Sequence, residues 1–513
     1  MKQTGYSPYL PGWEYVPDGE PHVFGDRVFV FGSHDRFGGK KFCENDYVCW
    51  SAPLHNLTEW SYHGVIYKKT QDPDNPDGKY AMWAPDVVCG SDGRYYLYYC
   101  LGDYPKLNVA VCDTPAGKYK FYGYVHDANG GVLGQREQDS LPFDPGVFVD
   151  DDGRIHLYSG QAPMGEQSER KLNPLQAFVA KLISRKDKAV RKFVYHMELE
   201  TDMLTLRTEP KPLLPNVNNS KGTGFEGHEF FEASSMRKFE GRYYFIYSSV
   251  RSHELCYAVS DYPDRDFRYG GTLISNGDVG LGEDILLNYN SKPSRIPKNY
   301  TGNTHGSIEK LGRDYFVFYH RQTNRNMHTR QGTVERIRMA PDGSFPQAEM
   351  TSQGFHGTLP GDGHYEARIA CNLWSREGCV VSAHPAVQNK KHPAFTQDEP
   401  DSENGVQYIG NMRCGATAGF KYFDLRDTTR ISVRVRGNGS GVISVCSSET
   451  GKKLAQISIA SAKTWTDFSS PFQAGTGHSA LFFIYEGTGA IDFLSFTLNS
   501  EKNASSFEKG ESR

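Results

Sequence analysis

SMRKFEGRYYFIYSS, residues 235–249, decides the architecture. It contains a short strand, a turn closed by Gly241, and a second strand dense in Tyr and Phe, the residue types that suit a pleated, buried surface. The same hairpin signal recurs as HVFGDRVFVFGSHD (22–35), DVVCGSDGRYYLYYC (86–100), GVFVDDDGRIHLYSG (146–160) and SIEKLGRDYFVFYHR (307–321). The turn glycines Gly25, Gly93, Gly153, Gly241 and Gly312 are 60 to 88 residues apart, room for a four-stranded sheet with decorated loops each time. Two such hairpins could recur by chance in any β protein; five in register predict a five-bladed β-propeller, which leaves only short, protected edges. A sandwich or jelly roll is the competing fold for this region.

Outward from the repeats, the 513 residues exceed what one compact domain usually holds. PDGSFPQAEMTSQGF (341–355) and GTLPGDGHY (357–365) form a Gly/Pro-rich join. Beyond it lie about eight short alternating segments, among them ATAGFKYFDL, RISVRVRG, GVISVCSS and AIDFLSFTL, which read as a β-sandwich or jelly roll. The expected organisation is therefore all-β: a propeller over 1–355, a sandwich over 363–499, and a polar, disordered tail over 500–513. Helical periodicity is scarce, with residues 175–190 one of the few candidates.

Lys+Arg 57 against Asp+Glu 61 leaves a net charge of -4, without the basic footprint of a partner for nucleic acid or an anionic membrane. No run approaches the roughly 18 to 20 apolar residues that would span a bilayer. The opening MKQTGYSPYLPGWEYVPDGE has neither a basic n-region nor an apolar h-region, so a cytoplasmic location is expected if residue 1 is the natural start. Ten cysteines without a CxxC point to reduced, buried thiols and not to a disulfide framework or a zinc site. Oligomeric state is not legible.

Counting back from each turn glycine finds one polar group per repeat. Asp18, Asp86 and His305 stand seven residues before theirs, Asp144 and Glu232 nine. All offsets are odd, so strict strand alternation would send the five side chains to one face and one mouth of the channel. With Trp83, Phe143, Phe230 and Phe231 beside them, they make a site suited to a neutral polyol. Two carboxyls across a gap can hydrolyse an acetal: inverting enzymes hold them about 6.5 to 9.5 Å apart so that water fits, retaining enzymes about 5 to 5.5 Å. A third carboxylate raises the acid's pKa by repulsion. A lone Asp at a strand start is more often a turn or capping residue, and a lone His a core residue. Membership of the series argues otherwise for Asp18, Asp144 and Glu232, less so for Asp86, where WAPD also reads as an aromatic wall and a turn. Asp150-Asp151-Asp152 reads as a solvated turn.

PDGEPHVFGDRVFVFGSHD, FDPGVFVDDDG, FFEASSMRKFEGRYYFIYSS and NTHGSIEKLGRDYFVFYHR resemble, in order, the blade motifs of glycoside hydrolase family 43. The resemblance covers residues 1 to about 355. It implies a five-bladed propeller and inverting, exo-acting release of pentose from arabinoxylan oligosaccharides, as an α-L-arabinofuranosidase with β-D-xylosidase as alternative or second activity. Carried over by motif, Asp18 matches the general base, Asp144 the orienting and pKa-modulating acid, and Glu232 the general acid. His305 matches a histidine near the axis that binds calcium through water or touches substrate, and Arg330, in HTRQGTVERI, an arginine contacting sugar and acids. Trp83, Phe143 and Phe231 complete the substrate set. The chemistry needs no cofactor; calcium would be structural. Two points stay open: Asp18-Gly19-Glu20-Pro21 lets Glu20 compete as base, and EGHEFFEASS offers Glu226 and Glu229 beside Glu232.

FFIYEGTGAIDFLSFTL and YEARIA resemble a family 6 carbohydrate-binding module, which would put a structural calcium at Glu366 and Asp492. The alternative is a sandwich that buttresses the propeller, with Trp374 as core. Two rivals from other classes are a non-catalytic sugar-binding propeller and a phosphorolytic five-bladed enzyme, the latter needing cationic partners beside Arg330.

Overall fold

The computed structural model describes residues 4–102, 104–163, 191–281, 296–379, 391–399, 403–473 and 477–500. The helical candidate at 175–190 lies outside the described residues, as does all of the expected tail except Ser500. Among the described residues there is no α-helix, only the 3₁₀ turns Lys69–Gln71 and Ala367–Ile369. No helix among the described residues is long and apolar enough to cross a membrane.

Each of the five hairpins opens one antiparallel meander. The inner strands are Glu20–Phe24, Asp86–Cys89, Gly146–Val149, Phe230–Phe239 and Ile308–Leu311. The first four sheets have four strands each in sequence order, whereas the fifth has three. The expectation of four strands per blade thus fails at blade 5, whose outer strand Asn326–Ile337 is flanked by the segment before blade 1. There Ser7 Oγ accepts from Val334 N at 3.3 Å and donates to Glu335 at 3.2 Å, and Gly19 bridges Gly306 in parallel. All five turn glycines take positive φ, 64 to 81°.

The doubly buried aromatic runs follow from the blade geometry. Alternate residues of one strand face opposite neighbours, so each strand fills two seams. Tyr96 and Tyr98 pack with Val147 and Leu157 of blade 3, while Leu97 and Tyr99 pack with Phe29 and Phe31 of blade 1. Phe245 and Tyr247 face Tyr158 of blade 3, and Tyr244 and Ile246 face Val317 and Tyr319 of blade 5. Tyr9, Val28, Val30, Phe316 and Phe318 close the last seam. At the axis the inner strands come close: a Cβ on Gly146 would lie 2.5 Å from Ser234 O, so only glycine allows blades 3 and 4 this contact.

Residues 359–500 form two six-stranded sheets around Phe420, Phe483, Phe493 and Phe496. Among the strands there that escape the sequence reading are Ala394–Gln397 and Ala462–Pro471. The latter is an edge strand with no buried residue, so hydrophobic alternation had nothing to report. The join does not form a free linker: Phe345 packs in the seam of blades 4 and 5, and Thr351 N donates to Glu335 at 2.9 Å. The sandwich docks on blade 5, where the buried Arg321 donates to Ala370 O (3.0 Å) and Arg368 O (2.8 Å) and stacks on Phe395 at 3.7 Å. All ten cysteines are unpaired.

Candidate active site

Asp18 and Asp144 precede their inner strands in left-handed backbone, φ 55° and 40°, and Glu232 sits where the pairing of blade 4 slips on both sides, beside Ala233 at φ 72°. Strict alternation therefore does not aim them; two kinks and a bulge do. They still converge, because each device lies at the same end of its blade.

Asp18 is 4% exposed. Its Oδ1 accepts from Arg330 Nη1 at 2.8 Å, and the rest of that guanidinium is forked onto Asp35, Nε to Oδ2 at 2.8 Å and Nη2 to Oδ1 at 3.0 Å. The Nδ1 of the buried His320 lies 3.3 Å from the Asp18 N and 3.2 Å from Asp18 Oδ1, and its Nε2 is 2.7 Å from Asn303 O; burial lowers its pKa. Burial pushes the Asp18 carboxyl up, but Arg330, His320 and His305 together outweigh burial and hold the group far below the usual carboxylate range.

Glu232 is driven the other way. Burial, then the charge of Asp144, raise it to about 8, so it carries its proton at neutral pH. Gln161 Nε2 donates to Glu232 Oε2 at 2.8 Å, which leaves Oε1 as the oxygen free to carry that proton. Asp144, 4% exposed, is itself raised by burial. His305 stands between two acids, Nδ1 3.5 Å from Asp144 Oδ2 and Nε2 3.7 Å from Glu20 Oε1; burial opposes its charge, yet these carboxylates lift it well above the usual histidine range.

The competing carboxylates have other partners. Glu20 Oε2 accepts from Ser235 Oγ (2.9 Å) and Arg237 Nη2 (3.1 Å) at the channel axis. Glu229 accepts from Ser220 Oγ at 2.7 Å, and the exposed Glu226 caps Gly222 N. Asp86 accepts from Val147 N at 2.7 Å and contacts His22 Nε2 at 2.6 Å, stitching blades 1, 2 and 3 below the mouth.

One wall is aromatic. Trp83 and Phe143 have centroids 5.2 Å apart, and Phe42 adjoins Trp83 at 6.2 Å while lying 4.8 Å under the Arg330 guanidinium. Phe231 is buried and tied through its carbonyl to Ala162 N, with no ring contact to that wall; Phe230 turns into the seam with Phe245 and Tyr247. Sequence reasoning missed Phe42, Gln161, Asp35 and His320 as site members. Asp35 and His320 lie inside quoted hairpins and could have been found by asking what pairs with Arg330; Phe42 and Gln161 stand in loops without a repeat signal.

Glu366 and Asp492, the pair expected to hold calcium, each have protein partners: Glu366 is bound by Arg368 at 2.5 Å, and Asp492 by Arg436 at 3.1 Å and Asn411 N at 3.0 Å. Neither belongs to the two clusters of metal-ligating types among the described residues, Glu20–His22–Asp86 and His228–Glu254–Cys256. Near His305 the buried Glu20 Oε1 has no hydrogen-bond partner, and an ion that prefers six to eight oxygens would be held there chiefly through water.

A five-bladed propeller with an anionic carboxylate, a protonated one and a third acid between blades at one mouth defines a glycoside-bond hydrolase. The family model of glycosyl hydrolases family 43 matches residues 23–345, and the chain belongs to that family. It is 47% identical over 500 residues, 97% of this chain and 99% of the relative, to a xylosidase/arabinosidase of Thermoclostridium stercorarium. It is 32% identical over 279 residues, 52% of this chain and 80% of the relative, to a xylosidase/arabinosidase of Bacteroides ovatus. A solved arabinoxylan arabinofuranohydrolase of Bacillus subtilis, in complex with cellotetraose, aligns over 96% of both chains with 19% identity and a TM-score of 0.46. The enzyme is a glycoside hydrolase and needs no cofactor for its chemistry.

Proposed function

We propose that the enzyme releases single pentoses from arabinoxylan-derived oligosaccharides with inversion, acting on α-L-arabinofuranosides and β-D-xylosides. The observation that carries this reading is the split between two carboxyls of one mouth: Glu232 protonated near neutrality, Asp18 held as an anion by Arg330. Glu232 donates its proton to the departing glycosidic oxygen. Asp18 takes a proton from the water that attacks the anomeric carbon from the opposite face. Asp144 sustains the acid's pKa, and protonated His305 neutralises Asp144. The relatives of Thermoclostridium stercorarium and Bacteroides ovatus are both xylosidase/arabinosidases, which supports both pentosides, and the aromatic wall suits an uncharged sugar. Between the two sugars we favour the arabinofuranoside.

For the sandwich we favour a buttress over a sugar-binding module. Trp374 is 8% exposed and packs on Phe482, and Trp465 lies beneath the Arg436 guanidinium at 4.3 Å, so neither ring is free as a stacking platform.

Hydrolysis of paired chromogenic α-L-arabinofuranoside and β-D-xyloside by wild type and Glu232→Ala tests the assignment. Turnover of one or both, lost in the variant, is expected. Turnover of neither by the wild type would remove the proposal.

A further inference from the structure

His228, Glu254 and Cys256 form a cluster on blade 4 that the glycosidase chemistry does not use. Glu254 and Cys256 alternate on one face of the strand Glu254–Ser260, and His228 is brought over them by the turn preceding Phe230–Phe239, fixed by Tyr247 Oη donating to His228 O at 2.7 Å. One ligand atom from each, imidazole nitrogen, carboxylate oxygen and thiol sulfur, lies within 4.8 Å of the others. His228 Nδ1 stands 2.8 Å from Glu254 Oε1, and its ring stacks on Tyr269 with centroids 4.7 Å apart.

We propose that this cluster binds a borderline-soft divalent cation of the zinc type. The donor set decides the class: one nitrogen, one oxygen and one sulfur match zinc, whereas calcium and magnesium want oxygens alone. A second observation points the same way. His253, 2% exposed, lines the same cavity of about 310 Å³ with His228, Glu254 and Thr272, and its Nε2 has no hydrogen-bond partner. It stands outside the group of three ligand atoms and faces the same cavity, so the fourth position falls to water.

The charges balance. On binding, the His228 proton moves from Nδ1 to Nε2, on a ring that is 18% exposed, and the Cys256 thiol proton leaves to solvent. Thiolate and carboxylate together offset the ion's two charges, so a buried site gains no net charge from its ligands. The remaining neighbours are compatible: Ser249 Oγ and Thr272 Oγ1 donate to Glu254 at 2.5 and 3.1 Å, and Arg251, 4.0 Å from Glu254, spends its Nε–H on Gly227 O at 2.8 Å. Because His228 precedes the strand carrying Glu232 by a few residues, the ion would staple that turn to blade 4 and serve stability, not catalysis.

Co²⁺ titration of the chelator-stripped full chain tests the site. A near-ultraviolet thiolate-to-cobalt band should saturate at one ion per chain, be displaced by Zn²⁺ and not by Ca²⁺, and vanish in Cys256→Ser. His228→Gln keeps the thiol and should weaken binding about tenfold or more; Cys414→Ser, which removes the exposed thiol, should leave the band unchanged. Zn²⁺ should raise the melting temperature of wild type and Cys414→Ser alone. No saturable band, or one lost in Cys414→Ser and intact in His228→Gln, would overturn the proposal, and these two variants decide it even if Cys256→Ser fails to fold.

Discussion

Arg330 binds Asp18 through Nη1 at 2.8 Å while Asp35 occupies the rest of its fork. The guanidinium thus arrives at the proposed base already oriented, with the fixed planar geometry that lysine lacks. Asp35→Asn should loosen this anchor and lower kcat/KM about 100-fold through misplacement. It also removes a negative charge and leaves the guanidinium to Asp18 alone, so the acid limb of the pH profile should move down and not up. Steady-state kinetics across pH checks both, and an acid limb that moves upward would contradict the electrostatic account.

The alkaline limb belongs to Glu232. In the proposed mechanism its proton is the one delivered to the leaving group, so activity should fall as pH rises through about 8. Asp144 is part of the cause of that value. Asp144→Asn removes the like charge, lets Glu232 ionise at lower pH, and should therefore shift the alkaline limb downward. Profiles of kcat/KM for wild type and variant check the direction.

Glu232 also costs stability. With a folded pKa near 8 against an ordinary 4.5, the native state binds more protons than the unfolded chain between those values, so stability falls as pH rises across that window. Glu232→Gln abolishes the ionisation and should raise the melting temperature at pH 7 by about 2 to 4 °C per kcal/mol gained, with almost no gain at pH 4. Thermal scans at the two pH values read this out, and an equal gain at both would mean that ionisation is not its source.

In the proposed reading Trp83 supplies binding surface only. Trp83→Ala should raise KM about tenfold, in the range of an aromatic contact, and leave kcat within about threefold. A loss confined to kcat would place Trp83 in the chemistry instead.

The propeller was legible because its signal is repeated and physical: every blade needs a tight turn and a strand buried on both faces, and both leave marks in composition. The convergence of Asp18, Asp144 and Glu232 was legible too, though for a different reason than alternation, since left-handed kinks and a bulge aim them. Backbone sign at a non-glycine residue writes nothing into a hydrophobic pattern. Phe42 and Gln161 were hidden because loops carry no period, and the three-stranded fifth blade because the flanking segment precedes all the hairpins. The arginine partners of Glu366 and Asp492 were not legible, because a carboxylate's partner is set by the fold and not by spacing.

The central claim is that Glu232 and Asp18 act as acid and water-activating base in a single displacement. Proton NMR of the first sugar formed from a β-D-xyloside, recorded before mutarotation, tests it most directly. The account predicts that α-xylose appears first, with β-xylose growing in only as the free sugar equilibrates. β-Xylose as the initial product would show a covalent intermediate and contradict the roles given to both carboxyls.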